Sequence, residues 1–263
     1  MNVWNAYGAK IANRGGTKHG AAYKREVQFL NNHLPDTLSY HNVLIFTPDY
    51  GYNIDSDEMR SAAIFQDVSI VDSDNLDEKS IFSLPGEDIT HGSLVFWMDN
   101  YWLVTEKDAN ATMYARAKLV QCNYLLRWVT DQNEIIEQWC IVEDGTKYLT
   151  GELEDRNFIT TRGDSRLSLT IARNSKTAAL GRENRFLIDD PESKVKLAYA
   201  LTKPFKLGGT YQHRGVYKFV LQEVNTTEDD NQDLRIADYY KHFSRTDYPT
   251  PGAANSDGGR NWL

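Results

Sequence analysis

The feature that most constrains the fold is the run over residues 82–128, FSLPGEDITHGSLVFWMDNYWLVTEKDANATMYARAKLVQCNYLLRW. Two short aromatic and β-branched segments, SLVFW and YWLVT, flank Met98, Asp99 and Asn100, the pattern of two strands joined by a tight turn. A third strand is expected after the polar break at 106–112. Large aromatic and β-branched residues bounded by Gly, Asp and Asn suit a pleated, half-buried surface. Trp97, Trp102 and Trp128, three of the six tryptophans, are therefore assigned to the structural core.

Similar signals recur along the chain. Residues 40–46 (YHNVLIF) and 62–71 read as strands, separated by a polar loop at 47–60 rich enough in Asp, Gly and Pro to be mobile. A hairpin is expected for 125–130 and 135–143. Asp144-Gly145 turns into a further strand at 147–150, another strand covers 157–161, and Arg162-Gly163-Asp164 reads as a turn. In SRLSLTI, strict alternation puts Leu167, Leu169 and Ile171 inward and Arg166, Ser168 and Thr170 outward. Strands at 185–188 and 195–201 follow, the second broken by Lys203-Pro204, then Tyr211 and 216–224 as a hairpin. A closing helix is expected at 229–243, packing through Ile236, Tyr239, Tyr240 and Phe243.

The predicted class is mainly β, an antiparallel barrel or sandwich with an N-terminal helical arm and a C-terminal helix. Its expected divisions are a basic arm and helix at 1–38, a barrel-like domain at 39–150, a second sheet region with the closing helix at 151–243, and an extended tail at 244–263.

Charge is unevenly spread. Residues 1–30 hold Lys10, Arg14, Lys18, Lys24 and Arg25 against Glu26, a net charge of +4, so the rest of the chain carries −12 of the total −8. The Gly15-Gly16 pair breaks any helix there, and 21–33 fits an amphipathic helix with Tyr23, Val27 and Leu30 on one face, ended by Pro35. A basic arm on an acidic body points to docking on an acidic partner through those five residues. No apolar run approaches the roughly 18 residues of a membrane-spanning helix, and the N-terminus lacks a secretory apolar core. No membrane partner is expected, and the chain is expected to be soluble and intracellular when made.

Residue patterns for chemistry are sparse. No phosphate-cradling, nucleophile-elbow or zinc-helix motif is present. Asp72-x-Asp74 followed by Asp77 starts like a calcium loop, but Leu76 and Asp77 stand where a ligand and the glycine belong. Cys122 and Cys140 read as reduced and buried. Glu87 and Asp88 near His91 are the nearest approach to a general-base cluster, with no nucleophile beside them. The expectation is a non-enzymatic protein with no catalytic residues, no metal and no cofactor.

The 82–128 run resembles virion structural proteins encoded in the head-to-tail region of long-tailed bacteriophages. Its GSLV-W…YWLVTEKDA portion looks like the hairpin core of head-closure and head–tail adaptor proteins. AYGAKIANRGGTKHGAAYKRE and GDSRLSLTIARN…LGRENRFLIDD look like further parts of such proteins. The resemblance implies a ring-forming subunit of the virion neck, with partners in its own copies, portal or adaptor and tail proteins, and DNA passing through without sequence specificity. The segment at 151–225 exceeds what it implies. The alternative is a minor tail or baseplate protein binding host-surface carbohydrate, with Tyr50, Tyr52 or Trp262 stacking on sugar faces. A hydrolase with unrecognised motifs is a third reading.

Overall fold

A computed structural model describes residues 3–13, 15–73, 75–109, 113–144, 165–190, 192–206, 210–211 and 214–244. The architecture is mainly β, two antiparallel sheets in tandem behind a two-helix arm. The strands expected at 147–150 and 157–161 and the turn at 162–164 lie outside the described residues, as does Trp262.

The first sheet is a closed six-stranded barrel built from β1 (Tyr40–Phe46), β2 (Ile64–Asp72), β3 (Glu78–Ser83), β4 (Leu94–Trp97), β5 (Asn100–Lys107) and β6 (Arg116–Gln121), in the order β1-β2-β3-β6-β5-β4. Closure leaves no edge strand to pair with another chain. The tight turn anchors it: Trp97 pairs with Asn100, and Met98 and Asp99 sit at φ 48° and 58°, as a two-residue type I′ hairpin requires. Alternation sends Val43, Ile45, Val68, Ile70, Val95, Trp102 and Val104 into the lumen, which side chains fill. β3 escaped the sequence reading because it is short and follows an acidic loop.

The second sheet holds β7 (Tyr124–Val129), β8 (Ile135–Asp144), β9 (Arg166–Ala172), β10 (Arg185–Ile188), β11 (Leu197–Phe205), β12 (Thr210–Tyr211) and β13 (Arg214–Val224), in the order β10-β11-β13-β9-β8-β7, with β12 on β13. The change of sheet therefore falls at Cys122 and Asn123, so the β7–β8 hairpin, grouped above with 39–150, pairs in the second sheet. Its core centres on Leu126, Ile136, Leu169, Ile171, Phe186 and Phe219, with Trp128 edge-on to Phe186 at 6.4 Å. The outer strands are drawn together where Tyr124 Oη donates to the Leu187 carbonyl at 2.9 Å. β11 runs on through Pro204, contrary to the expected break. A bulge between Leu201 and Lys203 shifts its register, and β10 pairs it only as far as Ala200, so the missing N–H of Pro204 lies beyond that ladder.

The two sheets are docked through their outer faces. Phe46, Leu94, Leu103, Cys122, Ile141, Ala172 and Val216 form a shared core. Beside it the backbones of Gly92 (φ +85°) and Gly215 (φ +121°) meet so closely that a Cβ on Gly92 would lie 2.2 Å from the Gly215 carbonyl oxygen. The 47–60 loop, expected to be mobile, is instead tied across this junction. Asn53 donates its backbone N–H to the Glu137 carbonyl at 2.7 Å, and its side chain accepts from the Glu137 N–H at 2.7 Å. It thereby occupies the stretch of β8 that β9 leaves unpaired. Ile54 is buried beside it, and Ser56 caps the short helix α3 (Asp57–Ser61).

The helix expected at 229–243 shrinks to Tyr239–His242. Asp and Asn side chains there hydrogen-bond local backbone and displace helical pairing. Asp230 accepts from the N–H groups of Thr227 and Asp238 and from the Arg185 guanidinium, while Asn231 bridges to Ile236. Burial alone would raise the Asp230 carboxyl, but those donors outweigh it and hold it below its ordinary value. Ile236 and Tyr239 still bury as expected, while Tyr240 and Phe243 are half-buried.

If the Gly92–Gly215 approach fixes the docking, Gly92→Ala combines left-handed strain with a backbone clash and lowers stability by about 2–4 kcal/mol. Gly86→Ala, at φ +95° with nothing within 4 Å, carries strain alone and loses about 1–2 kcal/mol. Urea midpoints at unchanged slope make the comparison.

Candidate functional site

The arm is two helices meeting at a glycine corner. In α1 (Val3–Asn13) the sequence reading expected no helix, yet Val3, Trp4, Tyr7 and Ile11 share one face at helical spacing. Gly15 donates to the Ala12 carbonyl and Gly16 to the Ile11 carbonyl, the paired bonds of a helix ended by a left-handed glycine (Gly15, φ +105°). Thr17 then caps α2 (Lys18–His33), its Oγ1 accepting from the Gly20 N–H at 3.0 Å. Gly20 is required because a Cβ there would lie 2.1 Å from the Gly15 carbonyl oxygen. The break at Gly15 and Gly16 was legible, but it separates two helices instead of ending structure.

Residues 3–12 of α1 are all exposed, Trp4 at 77%. No residue of α2 is buried. Of its expected stripe, Val27 and Leu30 are half-buried and Tyr23 is exposed, so the stabilisation expected from burying all three is largely unrealised. The contact that exists is at its C-terminal end, where Leu30 and Leu34 face Val71, Phe82 and Tyr114 across an apolar cavity of about 170 Å³. Lys10, Lys18, Lys24 and Arg25 are all exposed on this arm, and Arg14 lies outside the described residues.

The tryptophans are divided between two cores. Trp102 is buried in the barrel lumen and Trp128 in the second sheet, while Trp97 is half-buried against the barrel core, its ring 5.8 Å from that of Trp102.

A second surface emerges only from strand register. Leu44 pairs with Phe65 on β2 and with Phe96 on β4, and Phe96 pairs with Tyr101 on β5. Their neighbours Val43, Ile45 and Val95 fill the lumen, so this row faces outward. The Phe96 and Tyr101 rings lie 4.9 Å apart, and Tyr101 stacks on Trp139 of β8 at 4.9 Å. Phe65 ends the row at 76% exposure, beside exposed Ile64. Asp67 lies two positions along β2, and exposed Asp55, Asp57 and Glu58 lie on the segment leading into it. Burial, then Asp55, raises the Tyr101 hydroxyl pKa, which places that carboxylate near the row.

Where the outer faces splay apart, a cleft of about 630 Å³ opens between the sheets, walled by His91, Lys107 and Lys118 of the barrel and by Glu143, Phe205 and Lys218 opposite. Two of its lysines are paired, Lys118 with Glu78 at 2.8 Å and Lys107 with Asp88 at 2.5 Å. The suspected Glu87–His91 cluster is not assembled. Glu87 is exposed, while His91 is buried and its Nε2 donates to the Thr105 carbonyl at 2.8 Å. Burial, outweighing that bond and Glu106, depresses the imidazole pKa and keeps it neutral.

Among the described residues no group of three metal-ligating side chains converges. Asp72 accepts from Lys79 at 2.7 Å, and Asp74 lies outside the described residues. Cys122 and Cys140 are free and buried, and burial raises both thiols. Of the aromatics considered for sugar stacking, Tyr50 is 44% exposed and Tyr52 is half-buried against the second core. No described helix is long and apolar enough to cross a membrane.

Residues 27–121 match a protein-family model described as YomX N-terminal domain, a phage-derived family of Bacillus phage SPbeta-like type. The barrel is thus similar to a phage-associated domain. The match begins at Val27 within α2 and ends on Gln121, the last residue of β6, so it covers the barrel and stops where the second sheet begins. No curated protein matches the chain, and no solved structure does.

His91 gives a pH test. Its folded pKa lies below the unfolded value of about 6.5, so its contribution to stability is full above that value and is lost as pH falls towards the depressed one. Stability is expected to fall from about pH 7.5 to about pH 5 in the parent and to fall less in His91→Gln, with an NMR titration midpoint for His91 below the usual value.

Proposed function

We propose that the protein is a non-enzymatic structural subunit of a tailed-phage particle, assembled through its helical arm into a cyclic oligomer of the head-to-tail connector. The observation carrying this reading is the arm itself. A capped two-helix element that buries almost nothing on its own chain retains an apolar face and four exposed cations, a combination suited to docking elsewhere. The phage-associated match over the barrel gives the setting.

Two sheets joined by shared core, glycine contact and loop clamp make a stiff block, as a load-carrying ring subunit needs. A head-to-tail ring contact requires two different complementary patches per subunit, and a basic arm against an acidic body supplies opposite charges. In the head-closure or adaptor role such a ring retains packaged DNA and docks the tail. An acidic wall repels the phosphate backbone, so DNA passes without sequence-specific capture.

Removing residues 3–13 is expected to leave the melting temperature within a few degrees of the parent, because residues 3–12 are all exposed, and to abolish self-association in light scattering. In particles carrying a labelled copy, label is expected at the head–tail junction. Label at the distal tail tip, or absence from the particle, contradicts the connector role.

A further inference from the structure

Resting on that docking reading, we propose that the surface receiving the arm is the outward aromatic row of the barrel on a second copy of this chain, with the Val3–Trp4–Tyr7–Ile11 face of α1 laid over Phe65, Leu44 and Phe96. Both surfaces are apolar: the face of α1 is exposed, and on the barrel Phe65 and Ile64 are exposed while Leu44 and Phe96 are half-buried against the shared core. Their borders carry opposite charge. Lys10 flanks the apolar face of α1, with Lys18 following the corner, whereas Asp67 lies beside Phe65 on β2 and Asp55, Asp57 and Glu58 lie on the segment leading into it, with Arg60 bound to Asp55 at 3.1 Å. Apolar faces bury against each other at about 25 cal/mol per Å², and the opposed rims fix register and orientation.

In the single chain α1 does not cover its own row, since Trp4 and Phe65 are 77% and 76% exposed. α2 is a 16-residue helix, ~24 Å long, and it touches the barrel at its C-terminal end, beside Val71 and Phe82. Phe65 lies six residues before Val71 on β2, ~20 Å along the strand. The Thr17 cap and the tight Gly15–Gly20 contact at the start of α2 fix the angle at which α1 leaves it. The two patches are distinct, so the contact is head-to-tail: an open run of copies keeps a free arm at one end and a free row at the other, and a closed ring leaves neither.

The test uses the full chain in two variants at exposed positions, each checked for parental far-UV dichroism. Trp4→Ser/Tyr7→Ser removes the arm's face and keeps the row. Phe65→Lys keeps the arm and places a cation where the basic arm lands. Each variant alone is expected to be monomeric by light scattering, and a 1:1 mixture to give a heterodimer that grows no further. As a second readout, Trp4→Cys and Phe65→Cys copies are expected to cross-link on mixing under mild oxidation, since the native thiols are buried. If the arm variant loses assembly while Phe65→Lys assembles like the parent, the receiving surface is wrong and arm docking stands. If both variants fail alone and the mixture stays monomeric, these two surfaces are not partners. A parent that is monomeric at every concentration, or assembly unaffected by either variant, overturns both readings.

Discussion

The backbone contact between Gly92 and Gly215 sets the relation between the two halves of this protein. At each residue the left-handed φ excludes most side chains, and together they let a barrel loop and the start of β13 approach within a distance that a single methyl would forbid. Around that contact the outer faces of two sheets become an interior. Leu103 and Val216, which alternation alone would leave facing water, are buried in the shared core. Asn53 then ties the barrel's longest described loop to β8 by backbone-like hydrogen bonds. The apolar centre gives way at its rim to a charged cleft in which Lys118 pairs with Glu78 and Lys107 with Asp88.

A stiff body of this kind shifts the interest to what it carries. The arm has the ordering devices of a folded element, including a helix-ending glycine, a threonine cap and a close glycine pair, yet nearly all of its surface is left in water. Ordering residues costs about 1–2 kcal/mol of backbone entropy each, so a pre-ordered arm meets a partner with much of that loss already incurred. On a barrel similar to a phage-associated domain, such an arm is the element that the proposed assembly role would use.

The sequence made the barrel strands visible where local chemistry dictates them. Met98-Asp99 between two aromatic runs gave the β4–β5 hairpin, and strict alternation gave Leu169 and Ile171 their buried positions. What local pattern could not carry was pairing at distance. That β7 leaves the barrel after Cys122 depends on closure of β4 onto β1, fifty residues apart in the chain. The aromatic row was invisible for the same cause: Phe65, Leu44 and Phe96 come from three strands and share a face only once register is known. The helix α1 was a different failure. Its Trp4, Tyr7 and Ile11 lie at helical spacing, but the Gly15-Gly16 pair that closes the segment is a strong breaker and masks that periodicity. At 229–243 the reverse happened, with a helical pattern overridden by Asp230 and Asn231 bonding to nearby backbone.

Native-state hydrogen exchange under EX2 conditions is the most direct measurement of the central claim, that two sheets behave as one body carrying an independently exposed arm. Amides of the β1–β6 barrel, of β7–β13 and of the bridging Asn53 should exchange with a single opening free energy equal to that of global unfolding, while α1 amides exchange far faster. Two separate plateaus, one per sheet, with Asn53 exchanging freely, would contradict it.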